Sequence, residues 1–574
     1  MADETDKRAA NERIKEKSNQ LRGTIAQGLA DAATGAISDD DTQLVKFHGT
    51  YMQDDRDVRA ERMKKKLEKA YSFMIRVRVP AGIATAAQWI AMDDIASTFA
   101  NGTIRLTTRQ AFQFHGVIKS NLKRTMQDIN ASLLDTLAAC GDVNRNVMAT
   151  ANPHLTATHK AAAVLASDLS EHLSPRTGAY HEIWLDGEKV DPDGTPASTN
   201  VAAEEEPIYG QHYLPRKFKT VVAVPPDNDV DIYAHDLGYI AIEEDGKLVG
   251  WNVTVGGGMG MTHGDTETFP RTADVLGFCT PEQAVDVGEK IVTVQRDWGN
   301  REYRKRARLK YTIEDRGLEA FRAEVEARLG YVLGAPRPFR FERTGDRLGW
   351  ARGGDRRSHL TLSIENGRIA DRGDWRLKSA LRRIAETQDV TFILTGNQNL
   401  VIARATAKAK KEIDTILAEH GCAPGDLSGL RSNAMACVAL PTCGLALAES
   451  ERYLPNLVGK LEDRLDAAGL REDEITIRMT GCPNGCARPF LAEIGLVGKG
   501  PKTYNLYLGA AFDGSRLNKL FAEDVKEAAI IDALDPLFAR YAKERESGER
   551  FGDFVVRAGV IAPTTSGAAF HDRA

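Results

Sequence analysis

Two cysteine pairs stand out in this chain, Cys437-Val-Ala-Leu-Pro-Thr-Cys443 and Cys482-Pro-Asn-Gly-Cys486, which place four of its seven cysteines in one short stretch of 574 residues. Pro483, Asn484 and Gly485 are strong turn formers, so the second pair can converge on one centre. Four thiolates brought together repel one another unless a multivalent cation or cluster compensates them. Structural zinc sites use tighter loops between cysteines, and neither the longer loop here nor its surroundings resembles a zinc ribbon. An iron-sulfur cluster accepts more varied spacings, short loops combined with distant partners. The quartet therefore predicts a cluster that passes electrons to a neighbouring redox cofactor. Cys140, Cys279 and Cys422 stand alone in apolar or turn contexts and read as buried free thiols.

A second constellation is basic. Tyr213-Leu-Pro-Arg-Lys-Phe-Lys-Thr220 runs into the apolar Val221-Val-Ala-Val, so Lys217 and Lys219 share one face of a strand and Phe218 takes the other. Lysines beside a buried strand are costly unless an anion pairs with them. Arg145, in Asn144-Arg-Asn146, also leads into apolar sequence, and Arg76, Arg78, Arg105 and Arg109 adjoin strand-like segments. A solvated edge strand explains any one of these alone. Their number, in a chain of formal net charge -5, points to an anionic ligand with several carboxylates plus a small oxyanion. At an effective dielectric near 20, one cation at 4 Å contributes on the order of 4 kcal/mol before desolvation, so three or four can hold a dianion.

The elements that must position these groups are legible in outline. Phe73, Ile75, Val77 and Val79 alternate with Met74, Arg76 and Arg78, the pattern of a half-buried strand. After a helical stretch near 86–100, Ile104 to Val117 has apolar residues at 104, 106, 112 and 114; Arg105, Arg109, Gln113 and His115 take the other face if the extended geometry persists. The same rhythm returns over 390–402 behind a helical segment at 375–386, a weak internal repeat. Duplication of a two-part module follows: two small α/β units, each followed by a larger segment, at about 150–340 and 416–574. The stretches 186–207 and 225–231 read as surface loops. In Trp251-Asn-Val-Thr-Val-Gly-Gly-Gly-Met-Gly-Met261 a strand meets a glycine-rich loop, but Met261 stands where a dinucleotide fingerprint needs glycine. A flexible turn, or close approach of backbone to a flat cofactor, remain its two readings.

The length calls for several packed units, and 42% hydrophobic with 27% charged residues is an ordinary globular composition. Residues 1–65 are polar, with a basic run at Arg62-Met-Lys-Lys-Lys66, and read as a partner-binding arm or a solvated tail. The start lacks the apolar core of a secretory signal and no run suits a membrane span, so a cytoplasmic protein without membrane contact is expected. Nucleic-acid binding through Arg301 to Lys310 is a minor reading.

Taken together, Cys437-x5-Cys443, Thr480-Gly-Cys-Pro-Asn-Gly-Cys486, Leu106-Thr-Thr-Arg-Gln110, Asn144-Arg-Asn146 and Arg216-Lys-Phe-Lys219 resemble the sirohaem-containing subunit of assimilatory sulfite reductases, in the wider sulfite and nitrite reductase family. The resemblance runs from about Phe73 to the C-terminal segment. It implies an α/β (α+β) fold of two ferredoxin-like half-domains (66–150 and 341–415) and two larger sirohaem domains (151–340 and 416–574) in a pseudo-twofold arrangement. It further implies that Cys437, Cys443, Cys482 and Cys486 ligate a 4Fe-4S cluster, with Cys486 bridging to sirohaem. Arg76, Arg145, Lys217 and Lys219 match the family's sulfite-binding cations, and Arg109, Gln113, His115 and the Gly256, Gly257, Gly258 loop match its sirohaem-contacting segments. Arg78 and Arg105 are not singled out. The implied reaction is six-electron reduction of sulfite to sulfide for cysteine biosynthesis. The implied donor is a separate flavoprotein (alpha) subunit carrying FAD and FMN and oxidising NADPH, since no flavin or dinucleotide motif is present. The alternatives are a ferredoxin-dependent sulfite or nitrite reductase and, outside enzymes, a zinc-stabilised nucleic-acid-binding protein.

Overall fold

Phe73, Ile75 and Val77 are fully buried along the strand Tyr71–Val77, the period-two pattern doing what it does in a sheet with one face on a core. The computed structural model describes residues 6–180, 183–185, 188–190 and 206–572. The strand lies second in an antiparallel sheet ordered Thr50–Asp54, Tyr71–Val77, Phe112–Val117, Ile104–Leu106, Arg368–Ile369. A second antiparallel sheet repeats it: Gly349–Arg352, Ser358–Leu362, Leu400–Ala405, Thr391–Leu394, Ile83–Thr85.

Each sheet takes its last strand from the other copy. Arg368–Ile369 pairs with Ile104–Leu106, and Ile83–Thr85 pairs with Thr391–Leu394. The crossing points are matched glycines, Gly82 (φ +74°) and Gly367 (φ +71°), where a Cβ would strike the carbonyl of Leu394 or of Leu106. Only glycine combines that backbone conformation with that approach. The exchange fuses the two copies into one core. Trp89, on the helix Ala86–Phe99, stacks on Phe392 of the other sheet at 4.5 Å between ring centroids. That helix starts at a capping box in which Thr85 accepts from the Gln88 N–H and the Gln88 side chain accepts from the Thr85 N–H.

Two larger sheets follow, again alike. One is ordered Met148–Ala149, Thr220–Ala223, Leu237–Glu244, Lys247–Val255, Asp274–Cys279; the other Ala434–Ala436, Ile477–Thr480, Ile494–Gly500, Thr503–Leu508, Lys519–Val525. In each, the first three strands run parallel and the last two antiparallel. Helices Ala157–His172 and Ala284–Trp298 bury their apolar faces on the first sheet, and Leu454–Ala467 and Glu527–Glu544 on the second. The chain is thus a duplicated two-part α/β module.

Three local expectations differ from what is observed. Residues 104–117 form a hairpin, Ile104–Leu106 and Phe112–Val117, turning through Gln110 at φ +48°, and 391–405 do the same through Gln398 at φ +69°. Arg105 and Gln113 still share a face, because they are direct cross-strand partners. The N-terminal segment is no detached arm. Leu21, Leu44 and Phe47 lie in the first core, Lys15 is buried on Glu12 at 2.6 Å, and Thr50–Asp54 forms the edge of the first small sheet. Its polar composition conceals ion pairs that fold inward. Residues 225–231 are not a surface loop throughout, since Asn228 to Asp231 are buried. Most of 186–207 lies outside the described residues. Among the described residues no helix is long and apolar enough to cross a membrane.

Candidate active site

Cys437 follows the strand Ala434–Ala436, and Cys482 follows its parallel neighbour Ile477–Thr480. Parallel pairing brings both C-terminal ends to one edge, which is how residues 437 and 482 meet. The Cys437 N–H donates to the Met479 carbonyl at 3.2 Å and the Cys443 N–H to Ala439 at 2.9 Å. Gly481 N–H donates to the Cys437 Sγ and the Asn484 side-chain amide to the Cys482 Sγ, both at 3.3 Å. Such donors stabilise sulfur that carries negative charge.

Burial, and then the charge of Cys486, push the Cys437 thiol up to about 12 and the Cys443 thiol to about 11. All four cysteines act electrostatically on one another. Among the described residues no three His, Cys, Asp or Glu side chains are gathered as ligands of a single ion. Four mutually coupled thiols, two of them hydrogen-bonded by nitrogen donors, fit a cluster of several iron and sulfur atoms, whose positive charge offsets the repulsion.

The glycine-rich loop sits against this turn. Met261 N–H donates to the Pro483 carbonyl at 3.0 Å, and a Cβ on Gly485 would lie 3.0 Å from the Met259 carbonyl. Gly256 has φ +83°, a Cβ on Gly257 would strike the Tyr233 carbonyl, and one on Gly258 would lie 2.6 Å from Arg308. These glycines admit the protein's own backbone and guanidinium.

Beside the cysteines lies the cationic pocket. Arg76 donates to the Cys140 sulfur at 3.1 Å and to the Gln113 side-chain Oε1 at 3.0 Å. Gln113 contacts His115 at 2.7 Å, and His115 faces the hydroxyl of Thr442, in the first cysteine loop, at 3.5 Å. Burial first, with Arg368 and Arg105 nearby, pushes the His115 imidazole well below its ordinary range and keeps it neutral. Arg109 contacts His235 at 3.3 Å and donates to the Asn146 carbonyl, while its Nε has no partner. Arg145 donates to the Gly141 carbonyl at 3.1 Å.

The side-chain ammoniums of Lys217 and Lys219 have no hydrogen bond or ion pair among the described residues. Burial, then Arg216, Arg308 and Arg145, push the Lys217 ammonium down to about 7. Burial, then Lys217, Arg308 and Arg109, hold Lys219 well below the usual lysine range. Uncompensated cations this close are unfavourable without an anion. The partnerless Nε atoms of Arg76, Arg109 and Arg308 and the two free ammoniums supply the donors that a polycarboxylate macrocycle and a small oxyanion require. The residues present fit sirohaem.

Two expected cations are engaged elsewhere. Arg78 is held by Asp135 at 2.6 Å, and Arg105 by Glu451 and the Ala436 carbonyl at 2.8 Å. Arg105 still lies near the cysteines, since Cys437 and Cys486 favour its charge. The basic run 301–310 is not a nucleic-acid surface. Arg301 pairs with Glu12, Arg304 with Asp142 at 2.8 Å, Lys305 with Asp265 at 3.1 Å and Arg306 with Asp315 at 2.5 Å. Arg308, paired with Asp236 at 2.6 Å, and Lys310, capped by the Gly258, Gly260 and Phe269 carbonyls, belong to the pocket. Sequence reasoning missed these two, Arg216 and Tyr51. The alternation of Arg308 and Lys310 with apolar Ala307 and Leu309 was the available signal. Tyr51, on the edge strand Thr50–Asp54, is half-buried near Cys140, Arg145 and Arg76.

A cysteine quartet abutting a pocket of uncompensated cations defines a redox enzyme that acts on an anion. Family models match residues 65–132 as the nitrite/sulfite reductase ferredoxin-like half domain and residues 166–333 as the nitrite and sulphite reductase 4Fe-4S domain. The second match covers the first large unit, whereas the cysteines stand in the second copy. The chain is 65% identical over 570 residues to the sulfite reductase (NADPH) hemoprotein beta-component of Methylobacterium nodulans, covering 98% of this chain and 93% of that one. It is 59% identical over 569 residues to the protein of the same description from Staphylococcus saprophyticus, covering 99% and 98%. A solved structure of the Mycobacterium tuberculosis NirA protein shares the fold, with a TM-score of 0.75, 24% identity and 96% of both chains covered. The chain belongs to the nitrite and sulfite reductase family, among its sulfite reductase hemoprotein beta-components.

Proposed function

We propose that this chain catalyses the six-electron reduction of sulfite to sulfide. Cys437, Cys443, Cys482 and Cys486 would hold a 4Fe-4S cluster, Cys486 would serve both the cluster and sirohaem, and an NADPH-oxidising flavoprotein with FAD and FMN would supply the electrons. The observation that carries the reading is the free pair Lys217 and Lys219, uncompensated beside Arg76 and Arg145 and next to the cysteine quartet. The matched relatives, named for NADPH-dependent sulfite reductase, support sulfite over nitrite and a flavoprotein over ferredoxin.

When bound, sirohaem and the cluster would supply a redox-active iron and a route for single electrons. The chain's own groups do the rest. Arg76, Arg145, Lys217 and Lys219 bind the oxyanion and orient its oxygens, each charge acting in a pocket of low dielectric. Reduction of sulfite to hydrosulfide consumes six electrons and seven protons and releases three waters, so every S–O cleavage needs a proton delivered to the departing oxygen. Lys217, held near 7, is poised to give one and regain one from water. Arg109 and the amide and imidazole of Gln113 and His115 would hold the macrocycle. A cytoplasmic setting accords with thiols that must stay reduced to bind iron.

The test is the absorption spectrum and iron content of the purified protein, with sulfide formed from sulfite using reduced methyl viologen. Sirohaem bands and sulfide production are expected. A colourless, iron-free protein, or sulfite turnover unchanged in Lys217→Met, would contradict the reading.

A further inference from the structure

We propose that Glu451 is a positioning residue for the cysteine quartet, its carboxylate balancing Arg105 and Arg368 and so setting the reduction potential of the group the cysteines hold. This rests on the reading above, that the quartet holds an iron-sulfur cluster.

Arg105 and Arg368 come from different copies of the module. They face each other as direct partners where the exchanged strand Arg368–Ile369 pairs with Ile104–Leu106. Like charges directly opposite on neighbouring strands destabilise a sheet. Arg105 is buried, and its charge is opposed first by that burial and then by Arg368. One carboxylate relieves both cations. Glu451 pairs with Arg105, and Arg368 donates to it twice, Nε to Oε1 at 2.6 Å and Nη2 to Oε2 at 2.9 Å. The Arg368 and Glu451 side chains are each only 12% exposed, so solvent ions screen the triad little. Two guanidiniums and one carboxylate leave it net positive.

The triad is fastened to the cysteines. The Glu451 N–H donates to the Cys437 carbonyl at 3.1 Å. Arg105 donates to the carbonyl of Ala436, the residue before Cys437, at 2.8 Å, and Cys437 and Cys486 are among the groups that favour its charge. Just before Glu451 in the chain, the Leu447 and Ala448 N–H groups donate to the Gly481 carbonyl at 2.7 and 3.1 Å, next to Cys482. The Glu451 carbonyl accepts from the Asn366 side chain at 3.0 Å, beside the crossing glycine Gly367. Residues 447–451 thus clip both cysteine-bearing strands to each other and to the exchanged strand. Charges and hydrogen bonds around a cluster tune its potential. Among the described residues Glu451 has no hydrogen bond or ion pair to Arg76, Arg145, Lys217 or Lys219, so its charge can change without altering the grip on the oxyanion.

The experiment is a redox titration of the holoenzyme followed by electron paramagnetic resonance, beside sulfite kinetics driven by reduced methyl viologen. Glu451→Gln keeps the side-chain shape and removes one negative charge, so the more negative, reduced cluster is favoured and its midpoint potential should rise. Arg368→Gln removes a positive charge and should lower it. Glu451→Gln/Arg368→Gln should return the potential close to that of the unsubstituted protein. In Glu451→Gln, whose cluster holds its electron more tightly, kcat should fall while KM for sulfite stays within about twofold. Potentials unchanged, or shifted in the same sense by both single substitutions, would overturn the proposal. So would loss of iron from Glu451→Gln, which would make the residue a structural support alone. Should Glu451→Gln not fold, Arg368→Gln decides: a fall in potential supports the proposal, and no change or a rise overturns it. Absence of any cluster signal from the unsubstituted protein would overturn the reading of the quartet itself, and this role with it.

Discussion

The two copies of the module keep the same frame and carry opposite chemistry. In the small sheets Arg76 faces Gln113 one residue before the pair Val77–Phe112; in the other copy Thr361 faces Val401 one residue before Leu362–Leu400. Arg105, opposite Gln113, becomes Ile393, opposite Val401. In the large sheets Met148 pairs with Val221 and Met435 with Arg478, so Lys217 and Lys219 correspond to Glu474 and Thr476. The first copy places cations before its parallel strands, and the second places cysteines after its own.

The copies also grip each other at equivalent positions. Asp231 and Arg488 each precede a short helix in the left-handed conformation, at φ +50° and +54°, six residues before the paired strands at Leu237 and Ile494. They form an ion pair with each other, and Arg478 joins at 2.6 Å. One carboxylate thus compensates two buried guanidiniums where the halves meet. The lesson is that a duplicated frame can give one copy the ligand for the cluster and the other the grip on the anion, provided the seam is charge-balanced.

That division of labour can be broken at four points. The largest effect is expected from Cys486→Ser, at one of the proposed cluster ligands of the second copy; iron and acid-labile sulfide should fall and sulfite turnover should drop below detection. Next, Lys217→Met in the first copy should lower viologen-driven turnover by about 10²- to 10³-fold, the range for loss of a proton donor, with iron content intact. At the seam, Asp231→Asn leaves Arg478 and Arg488 buried without a carboxylate and should cost about 3–5 kcal/mol in denaturant unfolding. The smallest effect is expected at Thr361→Ala, the counterpart of Arg76, which should leave sulfite kinetics unchanged and stability within about 0.5 kcal/mol.

A pH profile sharpens the role of Lys217. It donates only while protonated, so turnover that depends on it is complete below about 7 and falls as the pH rises through that value. Bound sulfite, an anion, moves the limb upward. Lys217→Arg keeps the charge at all these pH values and should flatten the limb while lowering kcat.

Much of this was legible in the residues. The cysteine quartet, the Lys217–Lys219 face and the repeat at 104–117 and 390–402 are short-range patterns, carried by turn formers, period-two alternation and like spacing. The seam was not legible, because Asp231 and Arg488 lie 257 residues apart in sequence and neither sits in a periodic element. Nor was the inward folding of the N-terminal segment, where Glu12 and Lys15 look solvated until their pairing with each other, Arg301 and the Leu214 carbonyl is seen. The basic run 301–310 misled for the same reason, its carboxylate partners being as distant as Glu12 and Asp142.

On the proposed function, the cations of one copy and the cysteines of the other form a single site. The most direct test is viologen-driven sulfide formation by Lys217→Met/Lys219→Met beside Glu474→Gln/Thr476→Ala, the same positions in the other copy. A loss of at least about 10²-fold is expected in the first with sirohaem and iron retained, and near-normal turnover in the second. Full turnover in the lysine variant, or equal losses in both, would contradict it.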